Sequence, residues 1–390
     1  MQKITCPKCA KQFIWTDDNP PGGKCPTTNC DWYYDVRKEI GKSLEGFDAK
    51  TVIFFASSKF DADAISFAMQ KTFGDIPAFG CTTSGEIVSG HMLNQSVVAM
   101  AMNSRIIEDM DIQILQNIHE DPKGAVAGAF KAFEQKFGEP MADMDFQKYV
   151  GIILIDGLQG AEEQLMEKIG DLTNVTFIGG SAGDDLKFLK THVFAQGKAH
   201  SNAALLVLIK AATTFDFIKT QSFAVSDKTL VATSVDPAKR EVLEFNHQPA
   251  VEAYAQAVGV SVENVADVFM SNPVGLMMGD EPYVRSPQRT EGQGIVFYCN
   301  LLEGMELAVL RSEDIVRDTK IALGKKQEEL GAISGIINFH CILRTLELKN
   351  KNQLDDYGKI FSSVPTVGFS TYGEEYVGHI NQTATMLVFK

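Results

Sequence analysis

The sequence has no run of 18 apolar residues, and Met1-Gln2-Lys3-Ile4-Thr5-Cys6 opens no apolar leader segment. A soluble, cytoplasmic protein with no membrane partner is the expectation. Positive charge is in deficit, because 36 Lys and Arg face 50 Asp and Glu and leave a net charge of -14. Such a surface repels phosphate backbones, which disfavours nucleic acid as a general partner. The common catalytic signatures are absent as well. There is no Walker loop, no Gly-x-Ser-x-Gly elbow and no His-Glu-x-x-His, and Gly179-Gly180-Ser181-Ala182-Gly183 lacks the dinucleotide-binding spacing. Binding rather than turnover is therefore expected, and the chain is read as no enzyme.

What remains is an ordinary globular composition, 45% hydrophobic and 22% charged over 390 residues, enough for two or three domains. Four of the seven cysteines crowd into the first 30 residues. Cys6 and Cys9 form Cys-x2-Cys, and Cys25 and Cys30 form Cys-x4-Cys fifteen residues on. In a reducing compartment this spacing suits a closed tetrahedral Zn2+ site better than disulfides. Residues 1–42 are accordingly expected to be a four-cysteine zinc ribbon covered by Phe13, Trp15, Trp32 and Tyr34, either a small folding unit or a docking module. Cys81, Cys299 and Cys341 sit in apolar stretches and read as small buried hydrophobes.

Past Lys42 the pattern becomes periodic. Val52 to Ala56 is a continuous apolar run that fits a buried strand. Asp61 then caps a helix with Ile65, Ala68, Met69 and Phe73 on one face, and Gly74 ends it before a second strand. The theme recurs at Gly151 to Ile155, with a helix using Leu165, Ile169 and Leu172. It recurs again from Gly335, with a helix around Leu354 to Phe361. Strand–helix–strand units of this kind point to α/β architecture.

The segments after each second strand match one another. Gly80-Cys81-Thr82-Thr83-Ser84-Gly85-Glu86 with His91 and Asn94-Gln95-Ser96 parallels Gly368-Phe369-Ser370-Thr371-Tyr372-Gly373-Glu374 with His379 and Asn381-Gln382-Thr383. Thr83, Glu86 and His91 each recur 288 positions later, which implies an internal duplication. The middle copy is looser, Gly179-Gly180-Ser181-Ala182-Gly183-Asp184-Asp185. Two roles stand open for these corners: architecture, with Glu and His satisfying backbone groups, or a hollow lined by free amides at strand ends. The expected fold class is α/β, with two mixed-sheet domains built from the duplicated unit over residues 43–225 and 226–390. Residues 273–290, with Pro273, Pro282 and Pro287, read as a long loop.

These ordered segments, with Phe177-Ile178-Gly179-Gly180 and Cys341-Ile342-Leu343-Arg344, resemble the FIST sensory family across most of residues 43–390. The resemblance implies paired N- and C-terminal FIST domains that bind a small ligand in signal transduction, with amino acids as proposed ligands. It also implies output through kinases, chemoreceptors or cyclic-dinucleotide enzymes, and in some members haem and nitric-oxide sensing. The zinc ribbon lies outside the family pattern.

On that basis the expected pocket lies in the C-terminal domain, with Arg344, Thr371, Tyr372, Gly373, Glu374, His379 and Cys341 as its candidates. Arg344 would hold a carboxylate and Glu374 an ammonium group, with hydroxyl contacts from Thr371 and Tyr372. The alternative for Arg344 is an ion pair with Glu347 or Glu374. If the ligand is haem, it is noncovalent, for no Cys-x-x-Cys-His exists, and His340, His247 and His379 are the candidate axial ligands. A third possibility is an adaptor in which the ribbon recruits a partner without any ligand. In every version the output protein, such as a histidine kinase or cyclic-dinucleotide enzyme, is a separate chain.

Overall fold

The computed structural model describes residues 47–390 together with the backbone of four short strands, Gln2–Thr5, Gln12–Trp15, Gly22–Lys24 and Tyr33–Asp35. The first two of these pair antiparallel, as do the last two. Cys6, Cys9, Cys25 and Cys30, on which the expected zinc ribbon depends, lie outside the described residues.

The body is mixed α/β and is built from three sheets that follow one plan. At the centre of each, two strands run parallel: Ala49–Ser57 with Ala78–Thr83, Tyr149–Ile155 with Phe177–Ser181, and Gly335–Cys341 with Thr366–Thr371. A third strand pairs antiparallel with the first of each couple, namely Val97–Asn103, Ala203–Ala211 and Ala384–Phe389. The second and third sheets each add an outer antiparallel strand, Ile107–Gln116 and Phe215–Thr220.

The fourth position is filled from elsewhere in the chain. Glu86–Val88 and His91–Leu93, which follow the first sheet's second strand, complete the third sheet through pairing with Thr366–Thr371. Val193–Ala195 and Lys198–His200, which follow the second sheet's central strands, complete the first sheet. Glu374–Tyr376 and His379–Ile380 leave the third and complete the second. Each sheet thus lends a hairpin to one neighbour and receives one from the other.

The apolar runs explain why the sheets meet. Every second residue of the central strands, including Ile53, Phe55, Ile152, Leu154, Ile337 and Phe339, enters one shared core and is fully buried. The alternate residues face outward under helices: Val52, Phe54 and Ala56 pack beneath Ala62–Phe73. Strands buried on both faces read as continuous apolar stretches, as these do. Burying each such side chain is worth about 1.5–3 kcal/mol. Asp61 caps the helix Ala62–Phe73 by accepting from Ala64 N at 2.7 Å, and Gly74 ends it at φ 62°. Between paired strands the backbone comes unusually close at three glycines. A Cβ on Gly80, Gly179 or Gly368 would lie 1.6, 1.7 or 2.1 Å from the carbonyl oxygen of Phe54, Ile153 or Asn338 respectively.

Residues 223–312 form a further body, with a sheet of their own, the helix Ala250–Val258 and a separate core around Tyr254, Phe245 and Phe297. Residues 273–290, expected as a loop, carry three strands instead: Val274–Met278, Glu281–Arg285 and Pro287–Glu291. Pro282 lies on one edge strand and Pro287 opens the other, the places where a missing N–H costs no ladder bond. The division expected after Val225 falls within the strand Phe223–Asp236, and Phe215–Thr220 belongs to the third sheet. The helix expected around Leu354 to Phe361 is present as Leu354–Lys359, and a further helix, Ile342–Asn350, occupies the connection before it. No described helix is long and apolar enough to cross a membrane.

Candidate functional site

The matched corners act first as braces. Glu86 is fully buried; its carboxyl accepts from Thr83 Oγ1 at 2.5 Å and from Ser96 N and Oγ at 3.0 and 2.6 Å. Glu374 is fully buried too and accepts from Thr383 N and Oγ1 at 3.0 and 2.7 Å, and from Thr371 Oγ1 at 3.4 Å. Each glutamate ties the strand before a lent hairpin to the strand after it. Burial raises both carboxyls, Glu86 to about 7 and Glu374 to about 8, against the lowering effect of these hydrogen bonds. Glu374 is therefore held by Thr383 and Thr371, and the Thr371 hydroxyl is also engaged by the Gly373 backbone.

The two corners differ in what covers them. His91 is exposed, whereas His379 is buried. The body formed by residues 223–312 makes the difference, because its Arg285 Nη1 donates to the His379 carbonyl at 3.4 Å and its Ser286 Oγ to Gln382 Oε1 at 2.7 Å. Gln382 Nε2 in turn donates to the Met270 carbonyl at 2.8 Å. Covering the third corner encloses a cavity of about 250 Å³.

The cavity lies where the parallel strands of the second and third sheets end. Gly157 and Leu158 follow Tyr149–Ile155, Ile342 and Leu343 follow Gly335–Cys341, and Tyr372 follows Thr366–Thr371. Ligands of α/β sheets characteristically bind at such carboxyl ends. Arg240, Gln288, Arg289 and Tyr298 line the opposite wall from the covering body.

Charge around the cavity is closely matched. Arg240 Nη2 donates to Glu162 Oε2 at 3.2 Å and to Glu163 Oε2 at 2.7 Å. His379 Nδ1 meets Glu375 Oε1 at 2.8 Å. Burial alone would lower the imidazole, yet the carboxylates of Glu375, Glu163 and Glu162 raise it to about 9. These neighbours favour the protonated form of His379. Its Nε2 has no partner, and neither has Asn381 Oδ1, although both atoms are buried and both residues line the cavity. Gly373 makes room for the ring, since a Cβ there would lie 2.1 Å from His379 Cε1. Tyr372 stacks on Phe188 at 4.9 Å between ring centroids, and its hydroxyl donates to the Asp184 carboxylate. Asp184 also accepts from the backbone N–H groups of Phe188, Leu189 and Lys190, fixing the loop at the cavity mouth.

Of the residues singled out from sequence, Tyr372 and His379 line this cavity. Thr371, Glu374 and Cys341 lie behind it; burial keeps the Cys341 thiol protonated, well above its usual range. Arg344 is elsewhere. Its guanidinium donates from Nη2 to Thr220 Oγ1 and Thr319 Oγ1, on the helix-covered face of the third sheet. Neither expected ion pair of Arg344 forms: Glu347 pairs with Lys351 at 2.6 Å and accepts from Ser312 Oγ, while Glu374 is occupied by Thr383. Of the other histidines, His247 is exposed in a turn at φ 61°, and His340 is fully buried against Tyr357. Arg240, Glu162, Glu163 and Arg289 carried no motif. Asn381 did, through its match with Asn94.

No group of three or more His, Cys, Asp or Glu able to hold a metal occurs among the described residues. Residues 50–248 match the FIST N domain and residues 250–376 the FIST C domain. An uncharacterized protein of Methanocaldococcus jannaschii is 19% identical over 306 residues, which cover 73% of this chain. The aligned part is 57% of that relative's length, less than two thirds of it.

Proposed function

Because the chain belongs to the FIST family, whose domains are associated with sensing in signal transduction, we propose that it is a cytoplasmic receptor for an amino-acid-like metabolite. It binds without turning its ligand over and acts on a separate signalling protein, such as a histidine kinase or a cyclic-dinucleotide enzyme. The observation that carries this reading is the pair of unpartnered buried atoms, His379 Nε2 and Asn381 Oδ1, at a cavity of about 250 Å³. One is a charged donor and the other an acceptor, and buried polar atoms normally have partners. A ligand carboxylate suits His379 and Arg289, and an ammonium group suits Asn381 and the Glu162 carboxylate. The loop with exposed Leu186, Phe188 and Leu189 at the mouth offers a surface through which occupancy is reported. The shared strand order of the three sheets supports descent from a repeated unit.

Haem suits the cavity less well. His379 would be the axial ligand, but its imidazole is charged and tied to Glu375, and the walls carry Arg240 and Arg289. Pockets for drug-sized ligands run to roughly 300–1,000 Å³, and about 250 Å³ falls below that range. The four N-terminal cysteines are proposed to hold one structural Zn2+, as a fold staple or a docking module.

Native mass spectrometry of the full chain, followed by thermal melting against a panel of free amino acids, tests the proposal. One zinc per chain and a stabilising amino acid are expected, with the stabilisation lost in R289A and N381L. Stabilisation that survives both substitutions would place the ligand outside this cavity.

A further inference from the structure

The face of the third sheet turned away from the shared core holds a second group of unpartnered polar atoms. Arg344 is 1% exposed, and His340 and Asn338 are fully buried. Arg344 Nη2 reaches the hydroxyls of Thr319 at 3.1 Å and Thr220 at 3.4 Å, but Nε and Nη1 have no acceptor. A guanidinium carries five N–H donors, of which Nε and Nη1 account for three. Both ring nitrogens of His340 and the Oδ1 of Asn338 are also without partners. Tyr357 closes the group: its hydroxyl accepts from Asn338 Nδ2 at 3.3 Å, and its ring lies 4.6 Å from that of His340.

Negative charge is what this group lacks. Arg344 is permanently charged, and a buried charge without a counter-ion is strongly disfavoured. The groups facing it are Thr220, Thr319, His340 and Tyr357, all without negative charge. Burial and the Arg344 charge hold His340 well below its ordinary value, hence neutral. Glu347, one turn along the same helix, is engaged by Lys351 and Ser312. Arg344 also occupies the first turn of Ile342–Asn350, where the helix end already carries partial positive charge and no side chain caps it.

We infer that Arg344, with Thr220, Thr319 and His340, binds a small monovalent inorganic anion of chloride size beneath the helix Ile315–Leu330. The anion accepts from the free guanidinium N–H groups and from the His340 ring N–H, and it neutralises the Arg344 charge. This site is distinct from the cavity at His379, which none of Arg344, Thr220, Thr319 and His340 lines. The anion is a structural component, set apart from any sensed ligand.

The test compares melting of the full chain in sodium gluconate, sodium chloride and sodium bromide at equal ionic strength. Halide is expected to raise Tm by about 2 °C or more over gluconate. The gain disappears in R344M and in T319V and persists in N381L. Crystals of the unsubstituted protein grown in bromide give a second reading that does not depend on a variant folding. An anomalous peak within hydrogen-bonding reach of Arg344 is expected there. Equal melting in the three salts with only water beside Arg344 overturns the inference. So does a halide effect lost in N381L but kept in R344M, which would move the anion to the other cavity.

Discussion

Glu374 has a carboxyl raised to about 8, first by burial and in spite of its hydrogen bonds to Thr383. A carboxyl whose pKa rises on folding binds its proton more tightly in the native state. Its stabilising share is complete below the unfolded value of 4.5 and is lost as pH climbs through about 8. In E374Q the amide oxygen keeps the bonds from Thr383 and the NH2 group faces Thr371, so the fold is retained. Melting of E374Q is expected to fall less than that of the parent protein between about pH 5 and about pH 9. An unchanged pH slope would show that Glu374 is ionised throughout that range. The Thr–x–x–Glu and Asn–Gln matches that mark this corner were visible as pattern, and the architectural role weighed for them is the one Glu86 and Glu374 perform. The fate of Arg344 was not legible. Alternation along Gly335–Cys341 sends Asn338 and His340 to the face opposite Ile337 and Phe339, but nothing local says which element covers that face. Arg240 was equally silent, since it gains its role only through Glu162 and Glu163, more than 70 positions away.

Within single elements, the glycines of the second strands make the sharpest claim. Gly179 sits opposite Ile153, whose carbonyl oxygen lies 1.7 Å from where a Cβ would be. Gly170, in the helix Glu162–Leu172, has nothing within 4 Å of the same position. G179A is therefore expected to lose at least about 1–3 kcal/mol by overpacking, whereas G170A should be neutral or gain about 0.5–1 kcal/mol from helix propensity. Urea titration of both variants decides the matter, and equal stability would refute the close-approach argument. Central strands and their helices were readable because burial on both faces leaves long apolar runs and because caps such as Asp61 are local. The strands between Pro273 and Thr290 were hidden, as edge position rather than composition is what lets proline into a sheet. The helix Ile342–Asn350 was hidden for a related reason: it starts directly at a strand end with no side-chain cap.

For the molecule as a whole, the borrowed hairpins decide which pieces can stand alone. The matched segments 50–248 and 250–376 each contain unfinished sheets. Residues 50–248 lack Glu374–Tyr376, which pairs with Phe177–Ser181, and residues 250–376 lack both Glu86–Val88 and the core strand Ala384–Phe389. Expressed separately, both are expected to aggregate or to lack a cooperative melting transition, whereas co-expression of residues 1–248 with residues 249–390, which supplies His379–Ile380 and Ala384–Phe389, should restore a folded complex. A monomeric, cooperatively melting 50–248 fragment would contradict this.

The same lending arrangement has a consequence at the ribosome. The second sheet waits for residues 374–380, and the third needs both the early segment at 86–93 and the last strand at 384–389. The segments before them must therefore emerge with open strand edges until residues 374–389 appear, a state prone to sticking to its neighbours. Such a protein calls on holding chaperones until residues 374–389 have emerged and the second and third sheets can close.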